Sequence, residues 1–312
     1  MIENGSDDES LNSILKWSNK INIQHVYYNR EQAILGGNKV METRLSKTKS
    51  KDRLVIIDNK ENLGFSAGAN VGIQYAIASG GDYVWLLNND TIVNGDVLNK
   101  MINVFTHNKY FKGITPKIIE YENPDKIWSA GQDLTWYGRL KSNPIKKKMT
   151  NQGESVFAVS FITNCASVYP VELFKEVGLL SEDLFQGEDD FEFSIRLKKY
   201  SYKLGCVKDA VVLHKNGQSV SWVSMTGKIY SGYLARLLSI KKHYGSFYWI
   251  LWLVIFSGRI LSRYLAFLDL SFFEGLKLVR LLIYNSYKLD KINKNTFFDS
   301  LAIQESIKTK KC

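Results

Sequence analysis

Five apolar residues, Tyr83 to Leu87 (YVWLL), run straight into Asn88, Asn89 and Asp90. A short apolar run of this kind predicts a buried strand. A carboxylate is costly to bury unpaired, so the strand ends where Asp90 meets water, a partner or a cation. In open α/β sheets, ligands bind outside the carboxyl ends of strands, and Asp90 falls at such an end. A plain turn over Asn88 to Thr91 accounts for the same residues without a ligand, because Asn and Asp favour turns.

The flanking sequence supplies the rest of the sheet. Leu54 to Asp58 (LVIID) is a second apolar, β-branched run. NKENLGFSAG follows as a turn, and GANVGIQYAIASG carries small and apolar residues at helical spacing before stopping at Gly80-Gly81. This β-α-β order predicts two parallel neighbouring strands, with Asn62 and Asp90 at one sheet edge. Further on, Val156 to Thr163 reads as a strand, and Pro170 opens a helix over VELFKEVG, where proline is tolerated. GEDDFEFSIRLKKYSYKL reads as another helix, with acids in its first turn and Arg196, Lys198 and Lys199 later, an order that complements the helix dipole. KDAVVLH is a strand ending at His214. Asn38 to Asp52 and Tyr137 to Gln152 read as polar loops.

Each chemical feature has two readings. In NLGFSAGANVG, Asn62, Gly64, Gly68, Asn70 and Gly72 leave bare backbone on one helix face, for close packing on the sheet or close approach of a ligand. The spacing is not GxGxxG, so no dinucleotide fingerprint is present. Glu188, Asp189 and Asp190 suit helix capping, yet three consecutive acids repel, and one at a cleft mouth could act as a general base. His214 is either a satisfied structural residue or a metal or diphosphate contact. Asp90 is either a turn residue or a ligand of Mg²⁺, which takes one or two carboxylates plus substrate phosphates.

Near residue 245 the chain becomes strongly apolar and aromatic (SFYWILWLVIFSGRILSRYLAFLDLSFF). The uninterrupted run Phe247 to Phe256 is too short to span a bilayer, which takes about 20 apolar residues. Arg259, Ser262 and Arg263 share a helix face. An amphipathic helix in the membrane interface is expected, with Trp249 and Trp252 at headgroup depth; a buried helix of a soluble domain is the plainer reading. The net charge of +10 suits a polyanionic partner, with lysine runs at Lys146 to Lys148 and at Lys308, Lys310 and Lys311. The basic residues are not interleaved with aromatics, so nucleic acid is not an expected partner. Cys165, Cys206 and Cys312 form no metal-ligand spacing and suit a reducing compartment. The opening MIENGSDDES is polar and acidic and reads as no signal peptide.

Taken together, the segments ENGSDDES, NLGFSAGANVG, YVWLLNNDT, IWSAG, FITNCASVYPVELFKEVGLL, FQGEDDFEFSIRLKKYSYKL, VVLHKNGQS and YLARLLSIKKH resemble, in order, the family 2 glycosyltransferases of the GT-A fold, especially their rhamnosyltransferase-like branch. The resemblance implies a Rossmann-like mixed, mostly parallel sheet flanked by helices, plus C-terminal amphipathic helices. Asn88-Asn89-Asp90 then stands at the family's DxD position, with Asp90 as direct metal ligand and the asparagines beside the donor. Asp189-Asp190 aligns with the family's ED pair, so Asp190 is the expected base, with Glu188 the alternative if the register slips by one. His214 matches a metal or diphosphate contact. Glu3 stands where the family reads the nucleotide base, and Asn62, Gly64 and Gly68 adjoin the donor. Trp128, Gly131, Thr163, Asn164 and Cys165 line the acceptor side.

The resemblance also implies a nucleotide-diphosphate sugar donor, a divalent metal (Mg²⁺ or Mn²⁺) and an inverting transfer, of rhamnose among other sugars, to a lipid-linked or polysaccharide acceptor. The expected layout is a catalytic domain over 1–218 and a helical, membrane-associating region over 219–312. The expected location is cytoplasmic, on the inner face of the cell membrane. Family members place a strand and a helix before the ENGS segment, so an N-terminally shortened form is expected. A catalytically incomplete, membrane-peripheral remnant is the alternative.

Overall fold

The computed structural model describes residues 1–49, 53–136, 138, 140–141, 155–215, 224–267 and 271–303. Lys146 to Lys148, most of the loop expected at 137–152 and the tail lysines lie outside the described residues. In chain order the elements are β1 (Ile2–Glu3), α1 (Ser10–Lys20), β2 (Gln24–Asn29), α2 (Arg30–Ile34), α3 (Lys39–Ser46), β3 (Arg53–Asp58), α4 (Phe65–Ala78), β4 (Tyr83–Leu87) and β5 (Thr91–Val93). Then come α5 (Val97–His107), β6 (Phe111–Glu120), β7 (Ile127–Ser129), β8 (Asp133–Leu134), β9 (Leu140–Lys141), β10 (Val156–Val159), β11 (Ala166–Pro170) and α6 (Val171–Val177). The acid-rich helix α7 (Asp189–Lys199), the long strand β12 (Lys203–His214), α8 (Met225–Phe267), α9 (Phe272–Lys288) and α10 (Lys294–Leu301) complete the order.

The fold is mixed α/β. Contacts divide the chain into two compact units, Met1–Val84 with Tyr169–Phe185, and Trp85–Val168 with Gln186–Cys312. The first unit holds an all-parallel sheet in the order β1-β3-β2. Its core is Tyr28, Ala33, Ile57 and Val71, with Ile2, Val26 and Leu63 packed on it. Glu42 Oε1 accepts from the hydroxyls of Tyr28 and Tyr75, both at 2.9 Å, so this core carries a satisfied polar rivet. The second sheet runs β10-β12-β6-β11-β4, with β5 on β12 and β7 on β6. Here β12 and β6 are parallel, while β10 and β5 pair with β12, and β11 and β7 with β6, antiparallel. Helix α5 lays Val97, Met101, Val104 and Phe105 against Ile114 and Ile118 of β6 and Val207 and Val212 of β12.

Several expectations change. LVIID and YVWLL are not neighbours: β1 and β2 occupy both edges of β3, leaving none for β4, which ends the other sheet. Strand β4 is not buried throughout but alternates, with Val84 and Leu86 inside and Tyr83 and Leu87 exposed, as a terminal strand does. The loop expected at 38–52 contains α3, started by the Asn38 side chain accepting from the Val40 and Met41 amides. The strand expected at 156–163 stops at Val159; Gln132 bridges Phe161 beyond it. Strand β2 and helices α1 and α2 had no sequence expectation. Asn29 and Gln32 form a capping box at the β2–α2 junction, a local signal for that boundary.

Candidate active site

In the first unit, polar side chains gather at the carboxyl ends of the parallel strands. Glu3, buried at the end of β1, accepts from the amides of Gly5 (3.1 Å) and Ser6 (2.8 Å), so both its oxygens brace the turn that follows. Asn4 donates to the Gly64 carbonyl (3.0 Å) and accepts from Asn59 (3.0 Å). Asn62 accepts from the Gly64 amide at 3.0 Å. Asp58, at the end of β3, accepts from Tyr27 and from the Lys60 amide (2.8 Å). Asn59 Oδ1 is buried with no hydrogen-bond partner.

The glycines of this segment are first of all packing residues. Gly64 has φ +83°, and a Cβ there would sit 2.1 Å from the Phe185 carbonyl oxygen. A Cβ on Gly68 would press on the Asn4 side chain, and one on Gly72 on Ile2. Asn70 is committed too: it accepts from the Leu180 amide and donates to the Leu180 carbonyl, both at 3.0 Å. Asp58, Asn59 and Tyr27 complete the polar edge and were not singled out from sequence, because their type alone suggests only turn and strand.

In the second unit the NND turn is pinned at its start. The Asn88 amide donates to the Cys165 carbonyl (2.9 Å), and its own carbonyl accepts from the Thr91 hydroxyl (2.6 Å). Asn89 is exposed, and Asp90 is half-buried, with its carbonyl taking the Lys215 amide at 2.9 Å. Strands β5 and β12 pair Thr91 with His214, which sets His214 beside Asp90. Asp90 Oδ1 lies 3.2 Å from His214 Nε2. The pair is close but unaligned: Asp90 Oδ1 and His214 Nδ1 are both buried without a hydrogen-bond partner.

Asp90 Oδ1, without a hydrogen-bond partner, and His214 Nε2, the ring nitrogen that faces it, could together hold a divalent cation completed by phosphate oxygens and water. Among the described residues no group of three or more His, Cys, Asp or Glu is arranged to hold a metal. The Trp128 ring meets the His214 ring edge-on at 4.4 Å, so β7 walls this pocket.

The acids at the start of α7 stand in the same unit. Asn164 donates to Asp189 Oδ2 at 2.8 Å, and Asp190 Oδ1 accepts the Phe191 amide at 2.8 Å. Burial pushes the Asp189 carboxyl up to about 6, against the Asn164 hydrogen bond. Burial, then the charges of Asp189 and Glu188, push Asp190 well above the usual carboxylate range, with the Thr163 hydroxyl acting the other way. A helix N-terminus by itself favours an ionised carboxylate, but here desolvation and like charges outweigh the dipole. Cys165 is buried, and its thiol is raised to about 12, first by desolvation and then by the charges of Asp90 and Asp190. It is therefore a wall and not a nucleophile. Gly131 has φ +73°, and a Cβ there would meet Val159; it makes the turn that carries the chain from Trp128 to the bridge at Gln132.

Sequence reasoning assigned no role to Arg236, Glu192 or His243, which help to hold this helix. Glu188, at φ 60°, receives a bidentate pair from Arg236 of α8, with Nε to Oε2 at 2.9 Å and Nη2 to Oε1 at 2.7 Å. The same guanidinium lies 4.9 Å over the Phe191 ring. Glu188 is therefore engaged elsewhere, which favours Asp190 over it as the free carboxylate. One turn on, buried Glu192 accepts from Arg196 Nε (3.0 Å) and pairs with His243 Nε2 of α8 (2.7 Å). The signal was present in YLARLLSIKKH, which contains both Arg236 and His243.

Residues 39–178 match the profile of the family described as Glycosyl transferase family 2. The chain is 22% identical over 177 residues to dTDP-rhamnosyl transferase RfbF of Shigella flexneri, covering 54% of this chain and 56% of that protein. It is 21% identical over 217 residues to galactofuranosyltransferase GlfT1 of Mycolicibacterium smegmatis, covering 62% and 71%. The match thus spans little more than half the length of the Shigella relative. Among solved structures, GalNAc-T7 with UDP, GalNAc and Mn²⁺ aligns over 67% of this chain and 48% of its own, at 16% identity and a TM-score of 0.43.

Proposed function

We propose that this chain, whose residues 39–178 match the Glycosyl transferase family 2 profile, moves a sugar from a nucleotide-diphosphate donor to a hydroxyl of a glycan acceptor. The observation that carries the reading is the adjacent Asp189-Asp190 pair, Asp189 buried and Asp190 partly exposed, both raised in pKa, in one unit with the close but unbonded Asp90–His214 pair. Asp190 takes the proton of the acceptor hydroxyl as that oxygen attacks the anomeric carbon. The bond from that carbon to the diphosphate breaks, and the diphosphate leaves with the electron pair. One such displacement inverts the anomeric configuration. Asp189, tied to Asn164, orients the pair. Asp90 and His214 would hold a magnesium or manganese ion, which would supply positive charge for the leaving diphosphate.

The names of the two relatives make dTDP-rhamnose and a galactofuranose donor the first to try; the acceptor of this reading is a lipid-linked or polysaccharide glycan. Release of nucleotide diphosphate from a donor panel, in Mn²⁺ or Mg²⁺ buffer, tests the reading. Asp90→Ala and Asp190→Asn should each abolish release while leaving the fold intact. Full turnover in either variant refutes its role. No release together with no nucleotide binding by calorimetry favours a catalytically incomplete, membrane-peripheral remnant instead.

A further inference from the structure

Helix α9 is amphipathic in an unusual way. Its inner face buries Leu278, Val279 and Leu282, and Ser271 with Glu274 caps its start. Its outer face carries Phe273, Lys277, Arg280, Tyr284 and Tyr287, spaced four, three, four and three residues apart, so they form one stripe. All five are exposed, Phe273 to 80%, Tyr284 to 55% and Tyr287 to 70%. No acid lies on the stripe, and neither Lys277 nor Arg280 has an ion pair among the described residues. Beside it, Trp249, Arg280, Ile283, Tyr284 and Tyr287 line an apolar groove of about 420 Å³. The expected anchors on α8 are not available for this: Trp249 and Trp252 are buried, while Phe247, Ile250 and Val254 are the exposed residues there.

The charge is just as local. Residues 225–312 hold 14 Lys and Arg against 5 Asp and Glu, whereas residues 1–224 are nearly balanced at 27 against 26. Nine of the ten net positive charges therefore belong to this helical region and its tail. Aromatic rings interleaved with Lys and Arg on a flat stripe of about 21 Å match the headgroup layer of an anionic bilayer, where rings sit at the interface and cations on lipid phosphates. No single described helix is long and apolar enough to cross a membrane. One bent pair, Met225–Val254 with Ser257–Ala266, passes by length and composition only, and Tyr230, Leu234 and Ile240 within it are fully buried against protein.

We propose that the Phe273–Tyr287 face of α9 lies flat on a bilayer containing anionic phospholipid, with Phe273, Tyr284 and Tyr287 in the headgroup layer and Lys277 and Arg280 on lipid phosphates. This goes beyond sugar transfer and needs no step of it. The test is sedimentation of the full chain with phosphatidylcholine vesicles, with and without phosphatidylglycerol. Binding should require the anionic lipid and weaken with salt. The double variant Lys277→Gln/Arg280→Gln should bind about 30-fold more weakly. Phe273→Ser/Tyr287→Ser should also lose binding, with the thermal transition and any donor hydrolysis unchanged, since these side chains are exposed and remote from the acids of α7 in sequence. No binding to anionic vesicles overturns the proposal, as does binding that ignores both double variants. Self-association abolished by Phe273→Ser, without lipid binding, overturns it in favour of a second copy as the occupant.

Discussion

At the start of α7, Asp189 is buried and Asp190 partly exposed beside it, and the fold bears their charge at a cost. A carboxyl whose folded pKa is raised contributes stability at low pH and loses it as pH rises through the folded value. For Asp189 that window runs from the ordinary 3.8 to about 6. Asp189→Asn and Asp190→Asn should therefore raise the unfolding temperature by a few degrees near neutrality and change it little near pH 4. Thermal melts at the two pH values check this, and a variant less stable at neutral pH would contradict the burial argument. Transfer itself should rise with pH across the same region, because the base acts only when ionised. The type and spacing of these acids were legible in sequence. Their protonation was not, because it depends on Thr163, Asn164 and Cys165 closing over them, which no local pattern encodes.

Helices α7 and α8 are joined by charge as much as by packing. Arg236 grips Glu188 in a left-handed conformation one residue before the acidic pair, and His243 and Arg196 grip Glu192 one turn later. Removing one partner leaves the other partly buried and unpaired, which costs more than the pair contributes. Arg236→Met should cost on the order of 2–3 kcal/mol and lower kcat at least tenfold with little change in donor KM. Adding Glu188→Gln should recover most of the stability but not the rate. A double variant no more stable than Arg236→Met alone would show that the pair is not the source of the cost. At this scale the sequence was readable where boundaries are local: the Pro170 helix start and the acid-to-base order of α7. It misled where pairing is long-range. The β-α-β pattern around α4 pointed to adjacent strands, but only the neighbours of β3 could reveal that both its edges are taken.

For the molecule as a whole, the change of composition near residue 245 falls inside one compact unit, which contains all of Gln186–Cys312. The first half of α8 is an inner element there: Tyr230, Leu234, Ala235, Leu237 and Ile240 are fully buried. Burying each larger apolar side chain contributes about 1.5–3 kcal/mol, so α8 alone accounts for stabilisation comparable with the 5–15 kcal/mol that holds a typical domain together. The apolar, aromatic sequence that follows residue 245 is itself divided by the fold, with Trp249, Trp252, Ile260 and Tyr264 buried and Phe247, Ile250 and Val254 exposed, a division composition cannot make. A chain cut after Ser224 should therefore lose cooperative unfolding of the unit that carries Asp90, Asp190 and His214, and expose apolar surface to a hydrophobic dye. Charge reversal confined to the α9 stripe should leave both unchanged. If the cut chain instead melts cooperatively and still releases nucleotide diphosphate, α8 is an appendage, and the Arg236 and His243 contacts do not support the site.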